Sequence, residues 1–543
     1  MTAAPTDPTP DPAPDRTPVA GPPPDAPEAP PGARAAAPRR FSPLAFAAGP
    51  AALVLAHALP LPTWSGVEPT AAVRTVLGLT AWMATWWMTE VVPLAVTSLL
   101  PLVVLPFARV APARAVAPAY FEDTIALFLG GFCLALGLER TGLHRRFAHA
   151  VVRRAGADPR RLVLGFLLAS GLVSMWVSNT ATALLLMPVA TTVVQAMVPA
   201  PGARTAAERN FAACAVLAVA YGASIGGVGT LVGTPPNTIF RGFVEQHAGA
   251  GLPGVSFAAW LVVGVPIVLV LLPLTWLLLV RVALPIPPGL ASMPRDGLLA
   301  RLASDAPPSR DERVVFVTFL ATAVAWITRE PVDLGALRLP GWGALFGGVR
   351  AGTRFDAYVR DSTVAVAAAL LLFVLPSRAR PGERLLPWSF AATRVPWGVL
   401  LLFGGGFALA DAFGPSGLNA YLTAAFRGLA GLPTWLVIGI VVVGLAAISE
   451  VASNTAAITM MLPVLLPLAH GLGVAPLPIL LAGTLAASCG FALPVATPPN
   501  AIAYATGEVT ARQMARAGLL LDVVAAAVMI AAVLLLGPLA FPP

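Results

Sequence analysis

The sequence predicts an all-α polytopic membrane protein built from two related halves, and three observations carry that prediction. Of 543 residues, 57% are hydrophobic and 11% charged, with a mean hydropathy of +0.80; a soluble domain carries about 25% charged residues. A Ser-Asn-Thr tripeptide occurs twice between apolar segments, as Ser178-Asn179-Thr180 and Ser453-Asn454-Thr455, 275 residues apart. Each is followed by a small-residue-rich stretch that closes on Thr-Pro-Pro-Asn, at Thr234 to Asn237 and Thr497 to Asn500, offset by 263. Phe128-Leu129-Gly130-Gly131-Phe132 recurs as Phe403-Gly404-Gly405-Gly406-Phe407, and Gly142-Leu143 as Gly417-Leu418, both again at 275. A common offset across three motifs indicates an internal repeat. Broken hydrophobic segments at corresponding positions of two repeats point to the binding site of a transporter.

In chain order, residues 1 to about 40 are rich in Pro, Ala and Asp with almost no large apolar side chain, and are expected to form a disordered cytoplasmic tail. It lacks the basic-then-apolar order of a signal peptide. Apolar segments follow at about 43–62, 72–89, 92–109 and 124–140. Segments at about 162–176 and 180–198 surround the first Ser-Asn-Thr, each read as too short to span a bilayer alone. After them come about 208–232, 257–284, 313–328, 362–376 and 395–412. A second short pair, about 434–448 and 455–470, surrounds the second Ser-Asn-Thr, and about 475–495 and 515–538 close the chain. The two pairs read as re-entrant helical hairpins, which leaves about 11 transmembrane helices.

Arginine placement sets the expected topology; the chain contains no lysine. Arg39-Arg40 place the amino end in the cytoplasm. Arg145, Arg146, Arg153, Arg154, Arg160 and Arg161 follow the fourth span. Arg281, Arg295, Arg301, Arg310 and Arg313 lie between the sixth and seventh, and Arg378, Arg380, Arg384 and Arg394 between the eighth and ninth. All three clusters then fall inside, as the positive-inside rule requires, and the 329–361 connection, which mixes both signs, falls outside. The first hairpin opens from the cytoplasm, the second from the exterior, and the carboxyl end lies outside. This is an inverted repeat.

Non-helical backbone survives at membrane depth only where protein or a water-filled cavity covers it. Ser-Asn-Thr and Pro-Pro both interrupt helices within hydrophobic sequence. Helix starts at a hairpin tip offer free N–H groups and partial positive charge to an anion. Freed carbonyls, the Asn amide oxygen and the Ser hydroxyl suit a hard cation such as Na⁺. Gly222-Ala223-Ser224-Ile225-Gly226-Gly227-Val228-Gly229 is glycine-rich enough to be expected as unwound backbone. Neither motif holds a basic residue, so an anion bound there would be balanced by helix ends and a co-bound cation.

The two Ser-Asn-Thr motifs, the stretch from Gly222 to Asn237, the stretch from Pro494 to Ala503, and Trp87-Met88-Thr89-Glu90-Val91-Val92-Pro93 together resemble the divalent anion/sodium symporter family from about residue 41 to the carboxyl end. The resemblance implies an elevator-type secondary transporter, a homodimer in the bacterial inner membrane, with scaffold helices at about 43–109 and 313–376, a first repeat at about 124–284 and a second at about 395–538. It implies one sodium site at Ser178, Asn179, the Ser174 backbone and Gly233, and another at Ser453, Asn454, the Ser449 backbone and Ala496. Substrate carboxylates would meet Asn179, Thr180, Thr234 and Pro235 from one half, and Asn454, Thr455, Thr497 and Pro498 from the other. The implied activity is Na⁺-coupled symport of C4-dicarboxylates such as succinate, malate and fumarate. A dicarboxylate exchanger, a sulfate or citrate symporter and a re-entrant-loop channel are the alternatives.

Other residues read more plainly. No His accompanies Ser178 or Ser453 and no nucleophile-elbow pattern appears, so an enzyme is not expected. Cys133, Cys214 and Cys489 are expected as small core residues. Trp82, Trp86 and Trp87 read as an interfacial belt. Glu90 is expected to make a structural pair, Asp411 to pair with a neighbouring Arg, and Glu450 either to organise the second hairpin or to sit in a solvated turn.

Overall fold

The computed structural model describes residues 42–541 except 144–145, 147–153, 155, 157, 248–251, 253, 289, 291–306, 330–331, 334–337, 340 and 347–358. The tail expected over 1–40 lies outside the described residues, as do Arg145, Arg153, Arg295 and Arg301. Among the described residues the only strands are the two-residue pair Val332–Asp333 and Arg338–Leu339; everything else regular is helical.

Each apolar segment read from the sequence becomes helix. α1 (Pro43–Ala58) and α2 (Ala71–Thr89) begin where the Ser42 and Thr70 side chains accept the N–H of Ala45 and Val73, the usual closure of a helix start. The third segment splits into α3 (Leu94–Thr97) and α4 (Leu100–Phe107), and α5 (Ala113–Val116) leads into α6 (Asp123–Thr141). α7 (Pro159–Ser174) and α8 (Asn179–Met197) flank the first Ser-Asn-Thr. α9 (Ala206–Gly227) opens on a Thr205/Glu208 capping box. α10 (Pro235–Gln246) follows the first Thr-Pro-Pro-Asn, and α11 (Phe257–Leu277) continues as a π-helical turn to Ala283. α12 (Arg310–Thr328), α13 (Asp361–Val374), α14 (Trp388–Arg394), α15 (Trp397–Ser416) and α16 (Leu418–Phe426) lead to the second half. There α17 (Thr434–Val451) and α18 (Asn454–Leu472) flank the second Ser-Asn-Thr, followed by α19 (Pro476–Ala486), α20 (Pro498–Ala505), α21 (Ala511–Leu535) and α22 (Gly537–Ala540).

Several expectations need correction. Among the described residues, eight helical stretches are long and apolar enough to cross a membrane, by length and composition. Three of them are α8, α17 and α18, with 19, 18 and 19 residues, so these hairpin arms are not too short to span. The connections make them hairpins: Met175 to Ser178 in one, Ala452-Ser453 in the other. The Gly222–Gly227 stretch is helical and buried rather than unwound. Its glycines serve close packing, because a Cβ on Gly222 would sit 2.8 Å from Leu167 O of α7, and one on Gly226 would overlap Gly171 backbone. The Thr-Pro-Pro-Asn prolines do not end helices but start α10 and α20, where a missing N–H and preset φ cost nothing. Of the three tryptophans expected as a belt, Trp86 and Trp87 are instead buried, with indole N–H groups donating to Phe46 O (3.0 Å) and Leu94 O (3.3 Å), while Trp82 is half-buried. Glu90 closes α2 in the left-handed conformation (φ 49°) and, though exposed, is not without a partner. Asp411 is exposed with no ion pair among the described residues. The three cysteines are buried, as expected.

α6 ties the two ends of the helical body together. At its carboxyl end Arg140 pairs with Glu383, and Glu139 with Arg394 at 2.5 Å. Arg146, just beyond, pairs with Glu312 at 2.8 Å. The three arginine-rich connections therefore meet at one end. At the other end of α6, Asp123 pairs with Arg360 of the 329–361 connection at 3.1 Å.

Candidate functional site

Ser178 and Ser453 are the residues from which α8 and α18 start, so Asn179 and Asn454 each open a helix. Such starts leave N–H groups without intrahelical partners and carry partial positive charge. Both repeats then make the same side-chain bond. Ser174 Oγ lies 2.7 Å from Asn179 Oδ1, and Ser449 Oγ 2.7 Å from Asn454 Oδ1. Ser449 Oγ is also 2.7 Å from Ala487 O, and its single proton serves one acceptor at a time. Ser174 and Ser449 were expected to contribute backbone; in the structure their hydroxyls orient the asparagines. Each Asn Oδ1 has a second lone pair beyond the one that accepts the serine proton.

The helix break of each repeat lies against its hairpin. In the first, α9 ends at Gly227 and the chain runs irregularly to Thr234. A Cβ on Gly227 would fall 3.2 Å from Asn179 Cγ, and one on Gly233 3.0 Å from Met175 O. Thr230 Oγ1 donates to Met175 O, and Trp260 Nε1 to Val228 O at 2.9 Å. Asn179, Met175 O, Gly227, Thr230 and Gly233 thus form one cluster. In the second, a Cβ on Gly490 would lie 3.3 Å from Ser449 O, 3.4 Å from Ala496 Cβ and 3.5 Å from Thr497 Cγ2. Both Glu450 carboxylate oxygens accept backbone N–H groups at 2.9 Å, from Ala492 and Leu493. Of its two readings, the organising one holds.

Thr234 and Thr497 precede the Pro-Pro pairs and are buried, whereas Pro235 is half-buried and Pro498 exposed. Thr180 and Thr455 are half-buried beside their asparagines. The two clusters interlock by exchange. α10, from the first repeat, packs on α18 and α19 of the second, while α20 packs on α8 and α9 of the first. Of the expected site residues, Ser174, Asn179 and Gly233 belong to the first cluster and Ser449, Asn454, Ala496 and Thr497 to the second, and each hairpin packs against a helix from the other half.

Sequence reasoning missed Thr230, Gly490, the Asn237 and Asn500 side chains, and Arg241. Arg241 stands one turn beyond Asn237 and is 2% exposed. It lies 2.9 Å from Glu245 and 3.0 Å from Asp361, whose other oxygen takes Arg329 at 2.6 Å. The Arg241 Nη1 contact is an ion pair without hydrogen-bond alignment. Its charge is neutralised within the protein.

Residues 46–541 match the family described as the sodium:sulfate symporter transmembrane region. The chain is 37% identical over 492 residues to the sodium-dependent dicarboxylate transporter SdcS of Staphylococcus aureus, in strains RF122 / ET3-1 and USA300 alike, covering 90% of this chain and 89% of that one. Among solved structures it resembles the YdaH transporter of Alcanivorax borkumensis (18% identity, TM-score 0.52, 77% of this chain and 84% of that one). It also resembles MtrF of Neisseria gonorrhoeae, described as illuminating a class of antimetabolite efflux pumps (15% identity, TM-score 0.52, 77% and 82%). At these identities the last two speak to fold alone. With a family match over nearly its whole length, and with both Ser-Asn-Thr and both Thr-Pro-Pro-Asn motifs at the helix breaks, this chain belongs to the sodium:sulfate symporter family, the divalent anion/sodium symporters.

Proposed function

We propose that the protein is a secondary active transporter that carries C4-dicarboxylates such as succinate, malate and fumarate into the cell together with Na⁺. The observation that carries this reading is the approach of a serine Oγ to the asparagine Oδ1 five residues on, at 2.7 Å in both repeats. It holds two amide oxygens beside freed backbone carbonyls, a donor set suited to a hard cation. One Na⁺ would be held by Ser178, Asn179, Gly233 and the Ser174 backbone, the other by Ser453, Asn454, Ala496 and the Ser449 backbone. Asn179, Thr180, Thr234 and Pro235, with Asn454, Thr455, Thr497 and Pro498, would meet the two carboxylates. Affinity for the dianion then depends on Na⁺, and that dependence is the coupling. The name of the staphylococcal relatives supports dicarboxylate as substrate.

The part holding both hairpins would move as an elevator against a dimeric scaffold of α1–α4, α12 and α13. The convergence of three arginine-rich connections at one end supports a cytoplasmic amino end in the inner membrane, with the carboxyl end outside. The family description favours a second reading, sulfate as the anion.

The test is uptake of labelled succinate into proteoliposomes, with and without an inward Na⁺ gradient, with excess sulfate or citrate as competitor. Na⁺-dependent uptake that resists sulfate supports the proposal. Uptake that ignores Na⁺ but needs internal dicarboxylate makes the protein an exchanger. Asn179→Ala and Asn454→Ala should each abolish Na⁺-dependent uptake in a folded protein; near-normal transport in both would remove the site assignment.

A further inference from the structure

We infer that the last residue of each Thr-Pro-Pro-Asn motif, Asn237 and Asn500, is a positioning residue that fixes the helix break for cation binding; this rests on the reading of the breaks as cation sites. Both asparagines stand at the third position of their helices and are fully buried. Asn237 Nδ2 donates to Thr230 O at 2.7 Å and Gly227 O at 3.1 Å, with a longer contact to Val228 O at 3.4 Å. Asn500 Nδ2 donates to Leu493 O and Gly490 O, each at 3.0 Å. In both repeats the acceptors are the carbonyls seven and ten residues earlier. The same amide therefore bridges the same two points of each break, although the intervening sequences differ.

The chemistry requires this residue type. A broken helix leaves carbonyls that repel one another if they converge and lose orientation if they do not. A primary amide offers two N–H donors in a fixed plane, one for each carbonyl. The reverse orientation would set Oδ1 against carbonyl oxygens, so the direction of the amide is decided by its partners. Consistent with that, Asn237 Oδ1 and Asn500 Oδ1 are both buried without a hydrogen-bond partner among the described residues.

What the clamp holds links it to the ion. Gly227 is the residue packed against the Asn179 side chain, and Gly490 the one packed against Ser449 O. Gly233 and Ala496 lie in the same two breaks. Releasing the Gly227 or Gly490 carbonyl lets the wall behind the Ser-Asn-Thr asparagine move, without removing any proposed ligand. The expected signature is a weakened Na⁺ response with substrate recognition at saturating Na⁺ retained.

The experiment uses the full chain. Purified wild type, Asn237→Asp, Asn500→Asp and Thr238→Val are titrated with NaCl against choline chloride, reading the melting temperature and then succinate uptake. Thr238 Oγ1 donates to Leu231 O at 2.6 Å in the first break, so its isosteric replacement loosens that break even if an Asp variant does not fold. The expected result is a tenfold or greater rise in the NaCl concentration for half effect in the Asp variants, a smaller rise in Thr238→Val, and a KM for succinate at saturating Na⁺ within about twofold of wild type. Wild-type Na⁺ response in the folded variants, or a loss of maximal rate with unchanged half-saturation, overturns the positioning role alone. A wild-type protein with no Na⁺ response overturns the underlying reading together with it.

Discussion

Gly227→Ala should weaken Na⁺-dependent transport more than its one added carbon suggests. The new Cβ would fall 3.2 Å from both Cγ and Nδ2 of Asn179, and closer still to Oδ1. Asn179 cannot yield freely, since its Oδ1 accepts from Ser174 Oγ at 2.7 Å. Overpacking of a well-filled site costs about 1–3 kcal/mol. If the whole cost falls on the cation-bound arrangement, the Na⁺ affinity drops by roughly 5–150-fold. Helix propensity works the other way, since Ala in place of a helical Gly gains about 0.5–1 kcal/mol, so the fold itself should survive. Gly131→Ala is the control. It lies inside α6 with nothing nearer its Cβ than Val232 Cγ1 at 3.5 Å, so it should transport normally with equal or higher thermal stability. Na⁺ titrations of succinate uptake and of melting temperature would be run on both variants. An unchanged Na⁺ half-saturation in Gly227→Ala would refute the claim that the Gly227–Asn179 contact sets the site.

Asp361→Asn should lower stability by about 3–5 kcal/mol, because it leaves Arg241 and Arg329 buried without their shared counter-charge; thermal unfolding in detergent reads this, and the double variant with Arg241→Gln should recover part of the loss. Glu450→Ala should cost about 1–3 kcal/mol for each of the two N–H groups it strands, those of Ala492 and Leu493. Glu450→Gln should be milder, since it keeps one acceptor; equal melting temperatures for the two would contradict the role. Removing residues 1–38 should leave uptake intact in correctly inserted protein, and a dead but inserted truncation would give the tail a role.

Repeated polar interruptions in an apolar chain were legible before any coordinates, because few alternatives make Ser-Asn-Thr recur at the repeat offset. The helices around them were legible for the same reason that membranes simplify sequences: long apolar runs have one regular conformation available. Packing was not. Gly222 and Gly226 carry the composition of an unwound segment, yet their meaning is set by α7, some 55 residues away, whose backbone approaches where a side chain would stand. Trp86 and Trp87 have the composition of an interface belt, and only the positions of Phe46 and Leu94 turn them inward. Arg241 and Asp361 are separated by 120 residues, and an ion pair across such a distance leaves no local mark. Asn237 and Asn500 were visible as repeats, but a side chain that bonds carbonyls seven and ten positions back follows no helical or strand period.

The exchange of α10 and α20 between the halves has a consequence for biosynthesis. The first hairpin is complete by Met197, yet a helix that packs against it, Pro498–Ala505, begins 301 residues later. Domains usually fold as they emerge; here neither cluster can close until α20 has been made. A chain that stops before α20 would hold the first Ser-Asn-Thr but lack a helix that packs against its hairpin. On the proposed reading, Na⁺ binding waits for α20, and a chain that stops before it has no assembled path through which to dissipate a sodium gradient.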